Sequence, residues 1–85
     1  MKEFEYTIQD ALGIHARPAG LLVKEAGKFQ SDITLNLSGK SGDAKRIFSV
    51  MALAVQLGDS IKVIIEGSDE DAALAELKQF FQANL

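Results

Sequence analysis

Apolar residues in this 85-residue chain keep switching between two periods, and that alternation limits the folds open to it. Phe4, Tyr6 and Ile8 alternate with Glu5 and Thr7, the period-2 pattern of a half-buried strand. Ala19, Leu22, Val23, Ala26 and Phe29 then fall at helical spacing along one stripe, with Gly27 marking the end region of that helix. Ile33, Leu35 and Leu37 return to period 2, and the turn-rich stretch Ser38–Asp43 predicts a hairpin onto a short third strand. Ile47, Val50, Met51 and Ala54 have helical spacing again, with Phe48 off the stripe and the segment stopping by Gly58-Asp59. Ile61, Val63 and Ile65 form the last strand. Ser68 is read as the cap of a final helix, with Asp71 completing a weak capping box and Ala73, Leu77, Phe80 and Phe81 as the inner face. Acidic Asp69, Glu70 and Asp71 sit where the dipole of that helix favours negative charge.

The expected order is β-α-β-β-α-β-α, with helices on one face of a sheet in a two-layer α/β sandwich. Residues 1–85 are read as one domain, too small to bury more than about 60–65% of the surface its unfolded form exposes. A small core is expected, and no deep cleft, so chemistry belongs at the surface.

Composition narrows the function classes. The chain has no cysteine, which removes disulfides and thiolate metal sites and fits a reducing compartment. Its single histidine excludes a multi-histidine metal site, so neither metal nor cofactor is expected. No apolar run reaches the ~18–20 residues that span a bilayer, and Met1–Glu5 lacks a signal-peptide core, which predicts a cytoplasmic protein without membrane insertion. The net charge of −3 argues against nucleic acid as a partner. That charge is uneven: residues 1–50 carry seven basic and six acidic side chains, residues 51–85 two and six.

Into this scaffold is set the octapeptide Gly13-Ile14-His15-Ala16-Arg17-Pro18-Ala19-Gly20. It holds the only histidine, the only proline and one of the two arginines. A lone histidine says little, but this one lies in a strand-to-helix loop, where functional residues concentrate. Imidazole has an ordinary pKa near physiological pH and serves as a neutral nucleophile. The Arg17 guanidinium is a planar fork matched to phosphate oxygens. Pro18 fits the first turn of a helix, and the residue before a proline is disfavoured in the α region, so His15 and Arg17 are expected at or just before the helix start. Free first-turn amides and the positive end of the helix dipole then add to an anion site. The residues offer no second base to activate water, so the patch suits receiving and passing on a phosphoryl group better than hydrolysing one.

Gly13–Ala19 resembles the active-site signature of HPr, the histidine-containing phosphocarrier of the bacterial phosphoenolpyruvate:sugar phosphotransferase system. The likeness extends to chain length, element order and the stretch Lys45–Leu53, which is similar to the family's short second helix. It implies an α+β fold: an open-faced β-sandwich whose four-stranded, mainly antiparallel sheet is covered on one face by three helices. It also implies that His15 takes a phosphoryl group on Nδ1 from enzyme I and hands it to sugar-specific enzyme IIA domains, with Arg17 stabilising the phosphate. By the same resemblance Ala16, Gly20, Lys24, Ile47, Phe48 and Met51 lie on the docking face. A monomer is expected, although the sequence leaves dimerisation open. Helical spacing places Ile47 and Met51 near the core, whereas Phe48 falls off that stripe and suits a contact anchor.

Two positions depart from the family pattern. Where many members carry a regulatory serine, phosphorylated by an ATP-dependent HPr kinase, this chain has Arg46, which reverses the charge that modification would bring. Ser49, three residues on, is read as a surface residue. Gly20 stands where the family usually has Thr, Ser or Ala, at a cost of up to about 1 kcal/mol of helix stability relative to Ala. Two alternatives stay open: a paralogous carrier of a nitrogen-regulatory or dihydroxyacetone branch, and a regulatory or ligand-binding module without covalent chemistry.

Overall fold

In the computed structural model, which describes residues 1–85, strands β1 (Lys2–Thr7), β2 (Asp32–Leu37), β3 (Lys40–Asp43) and β4 (Ser60–Glu66) hydrogen-bond into one sheet of spatial order β1-β4-β2-β3. Every pairing is antiparallel, so the "mainly antiparallel" expectation holds throughout. Helices α1 (Ala16–Ala26), α2 (Ile47–Met51) and α3 (Glu70–Asn84) complete the order β-α-β-β-α-β-α.

Register explains why one face of the sheet is apolar. Phe4 lies opposite Val63 and Tyr6 opposite Ile61, while Ile33 pairs with Ile65 and Leu35 with Val63. A shift of one residue would turn each of these side chains to the other face. The other face carries Glu3, Glu5, Thr7, Thr34, Asn36 and Lys62, where the Thr7 and Ser60 hydroxyls lie 3.0 Å apart. The apolar face packs against α1 through Ala19, Leu22 and Ala26, and against α3 through Ala73, Leu77 and Phe81. Phe81 is fully buried and meets Phe4 and Tyr6 edge-to-face, with ring centroids 5.7 and 5.5 Å away. Burying such a side chain contributes about 1.5–3 kcal/mol.

Four local readings need correction. Ser38–Asp43 is not a turn leading to a later strand: Ser38-Gly39 alone makes the turn, and Lys40–Asp43 is itself β3. Both turn residues have positive φ, 51° and 87°, the geometry that matches the twist of a two-residue hairpin. The second helix stops at Met51 instead of running through Ala54. Leu53 and Ala54 donate to the carbonyls three residues back, and Ala54 turns left-handed at φ 53°, which sends Leu53 and Val55 into the core and leaves Ala54 exposed.

At α3 the N-cap position is Asp69, and Ser68 is exposed. Asp69 does not cap its own helix; its carboxylate accepts the Gln30 and Ser31 amides and the Ser31 hydroxyl, tying α3 to the loop before β2. Glu70 reaches back to the Gly67 amide at 3.2 Å, so one arm of a capping arrangement is present without the other. Finally, α1 begins one residue before Arg17. His15 is its N-cap, extended at φ −91° and ψ −176°, so Pro18 occupies the third helical position and Arg17 is helical despite preceding a proline. The Ala19 amide bonds to the His15 carbonyl at 2.9 Å and closes that turn.

Candidate functional site

The loop between β1 and α1 is held at both ends before it presents any chemistry. Ile8 and Ile14 are buried, the Ile8 amide bonds to the Asp59 carbonyl at 2.9 Å, and the Ile14 amide bonds to the Val55 carbonyl at 3.1 Å. Gly13 has φ +66° and packs so closely on residues 55 and 56 that no side chain fits there. Between these anchors the Gly13 amide donates to the Asp10 carbonyl at 3.0 Å and the Leu12 amide to Asp10 Oδ1 at 2.8 Å. A side chain that bonds the backbone two residues on is a common way for Asp to hold a turn. The amides of Gln9 and Asp10 both donate to the Leu85 backbone oxygen, at 2.6 and 2.9 Å, so the end of the chain braces the loop.

His15 emerges from this frame at the start of α1 with its side chain 37% exposed. It shares a shallow recess with Asp10, Arg17, Pro18, Leu21 and Asn84. Arg17 is exposed and takes part in none of the five ion pairs of the chain, which leaves its guanidinium to a ligand. The amides of Ala16 and Arg17 make no hydrogen bond within the chain. Because Pro18 has no N–H, the α1 terminus offers two free first-turn donors there, fewer than an ordinary helix N-terminus. With the helix dipole they still favour an anion.

The residue that sequence reading missed is Asp10. Its Oδ2 lies 3.8 Å from His15 Nε2, so the site does contain a second ionisable group beside the imidazole. The available signal was Asp10 three residues before Gly13, a turn pairing that folds the carboxylate back along the loop. Leu21 and Asn84 were also missed as lining residues. No three carboxylate or imidazole groups converge as a metal ligand set.

The other expected site residues lie on α1 and α2, which pack against each other. Ala16 and Lys24 are exposed, and Gly20 and Ile47 are half-buried where the two helices meet. Phe48 is 85% exposed and Met51 40%, so the structure separates Met51 from the core position its spacing predicts. Exposed Leu12, Leu21 and Leu57 add apolar surface that was not anticipated. Arg46 is exposed at the N-cap position of α2. Ser49 Oγ accepts the Asp43 amide at 2.8 Å and so joins α2 to the end of β3.

Comparison with known proteins gives a consistent result. A family model described as PTS HPr component phosphorylation site matches residues 2–83. The Phosphocarrier protein HPr of Mycoplasma capricolum subsp. capricolum is 44% identical over 79 residues, which are 93% of this chain and 89% of that protein. The crystal structure of HPr-C-His from Thermoanaerobacter tengcongensis superposes with a TM-score of 0.93 at 38% identity, covering 98% of this chain and 93% of that one. An HPr dimer from the same organism superposes with a TM-score of 0.77 at 38% identity, covering 98% and 95%.

Proposed function

The chain belongs to the HPr family of phosphocarrier proteins of the phosphotransferase system, and from that membership we propose that His15 is a transient phosphoryl acceptor. Enzyme I donates the group to Nδ1, and a sugar-specific enzyme IIA domain removes it. The observation that carries this reading is the placement of His15 as N-cap of α1, in one recess with an unpaired Arg17 and beside two free amides. Those donors suit an anion attached to the imidazole, and charge-assisted hydrogen bonds from Arg to phosphate are among the stronger ones available.

The site is open, as a relay must be. A phosphohistidine has to be reached in turn by a donor and an acceptor protein, and a deep pocket would exclude both. Phe48, Met51, Ala16, Gly20, Lys24 and Ile47 supply the docking face around it, with Phe48 as anchor. We read the carrier as working as a monomer in the cytoplasm. No helix is long and apolar enough to cross a membrane.

Arg46 stands where a regulatory serine would, and the hydroxyl of Ser49 is already engaged with Asp43. We therefore read the chain as a carrier without the serine switch. Incubation with phosphoenolpyruvate and enzyme I is expected to add one acid-labile phosphate at His15 and none to His15→Ala. A protein that takes no phosphate from any enzyme I would instead be a module without covalent chemistry. Transfer only from an enzyme I of the nitrogen or dihydroxyacetone branch would move it there.

A further inference from the structure

Asp10 is held more firmly than a loop carboxylate needs to be. Its N–H donates to the Leu85 oxygen at 2.9 Å, its carbonyl accepts the Gly13 amide at 3.0 Å, and its Oδ1 accepts the Leu12 amide at 2.8 Å. The other carboxylate oxygen, Oδ2, lies 3.8 Å from Nε2 of His15, an electrostatic approach longer than a hydrogen bond. The ionisable side chains lining this recess are Asp10, His15 and Arg17; Pro18, Leu21 and Asn84 complete the wall. The carboxylate therefore meets the imidazole from the Nε2 side.

A neutral imidazole has one proton and two nitrogens, and its other partners decide which nitrogen keeps the proton. A carboxylate accepts hydrogen bonds and never donates them, so it favours N–H at the nitrogen it faces. We infer that Asp10 is a positioning residue that holds the His15 proton on Nε2 and thereby leaves the Nδ1 lone pair free to attack. The inference rests on the phosphoryl-acceptor reading of His15.

In the transfer step the Nδ1 lone pair forms the bond to phosphorus. The bond from phosphorus to the donor's leaving atom breaks, and that atom keeps the electron pair. The proton on Nε2 stays where it is, so the ring becomes cationic as the new bond forms. That charge develops beside the Asp10 carboxylate, which interacts with it more strongly than with the neutral ring. An interaction that grows toward the transition state accelerates the step.

Asp10→Asn tests this with little disturbance to the loop. The amide oxygen still accepts the Leu12 N–H, while the negative charge is lost and an NH₂ group turns toward Nε2. A donor at that nitrogen favours a bare Nε2 and moves the proton to Nδ1. Two measurements are needed on wild type and variant, with denaturation curves to establish that both are folded. One is the ¹⁵N chemical shifts of the His15 ring in unphosphorylated protein at about pH 8, above the ordinary imidazole range. The other is the initial rate of phosphoryl acceptance from phosphorylated enzyme I.

The expected results are a predominantly Nε2–H ring in wild type, a larger Nδ1–H share in the variant, and acceptance slowed roughly ten- to hundredfold, the range seen when a group orienting a functional histidine is removed. Unchanged ring shifts overturn the inference, whether or not the rate falls, because a merely structural aspartate would leave the proton in place. A changed tautomer with an unchanged rate overturns it as well. If wild type accepts no phosphate, the phosphocarrier reading fails on its own, and the ring shifts still decide whether Asp10 places the proton.

Discussion

The carbonyl oxygen of Val55 lies against Gly13: a Cβ on that glycine would stand 2.2 Å from it. The same oxygen accepts the Ile14 amide, so a single carbonyl both excludes a side chain at position 13 and fixes the backbone just before His15. Gly13→Ala has to strain a left-handed residue and displace that contact, which is expected to cost at least about 2 kcal/mol. Gly39→Ala is the control, because φ there is +87° but no atom lies within 4 Å of the added methyl. Urea denaturation should find the loss at position 13 clearly larger; equal losses would mean that Val55 is not the obstacle.

Gly20 presents the opposite case. A methyl there would meet Ile47 Cδ1 at 3.9 Å, an ordinary van der Waals contact between α1 and α2. Gly20→Ala is expected to stabilise the protein by up to about 1 kcal/mol through helix propensity and a smaller unfolded-state entropy. In a domain of this size that corresponds to a Tm rise of about 4–8 °C. A fall in Tm would show that the contact between α1 and α2 needs the space that Gly20 leaves open.

Phe48 contributes exposed surface and little core, at 85% exposure. Phe48→Ala should leave stability within about 0.5 kcal/mol of wild type. Transfer kinetics should respond, with KM for the carrier at enzyme I raised about five- to thirtyfold, as when an aromatic anchor of an interface is truncated. An unchanged KM would remove Phe48 from the docking face.

Asp69 gives the fold a predictable response to acid. The Ser31 hydroxyl, with the Gln30 and Ser31 amides, holds its carboxyl below the ordinary value of 3.8. The unfolded chain therefore binds this proton more readily than the native one, and stability from the group is complete above about pH 3.8 and disappears as pH falls through the lower native value. Glu70 is lowered too, by the Met1 ammonium and then the Gly67 amide, but that titration is common to wild type and Asp69→Asn. Urea midpoints of the two proteins should differ most near neutrality and converge as pH falls below 3.8. A gap independent of pH would contradict the role given to the Ser31–Asp69 link.

Much of this architecture was legible because it is written in local periods. Phe4 and Tyr6, Ile33 and Leu35, and Ile61, Val63 and Ile65 declare strands by alternation, and Ala73, Leu77 and Phe81 declare a helix face. What escaped depends on where the chain goes next. The end of α2 is set by Leu53 and Val55 seeking the core, which a five-residue helix cannot signal by itself. Asp69 looks like part of a helix terminus, yet its partners lie 38 and 39 residues earlier in the chain. His15 and Arg17 were apparent as a pair because they lie two residues apart in sequence. Asp10 was not, since its approach to Nε2 depends on a turn and on the bracing Leu85 oxygen.

The central claim is that His15 is a relay, and the most direct test follows one phosphoryl group through it. The protein is charged with ³²P from phosphoenolpyruvate and enzyme I, purified, and mixed with an enzyme IIA domain. The account predicts label on His15 alone after charging, and its movement to the enzyme IIA domain with little release of inorganic phosphate. Label on any other residue, or loss of the label to water in place of transfer, would contradict it.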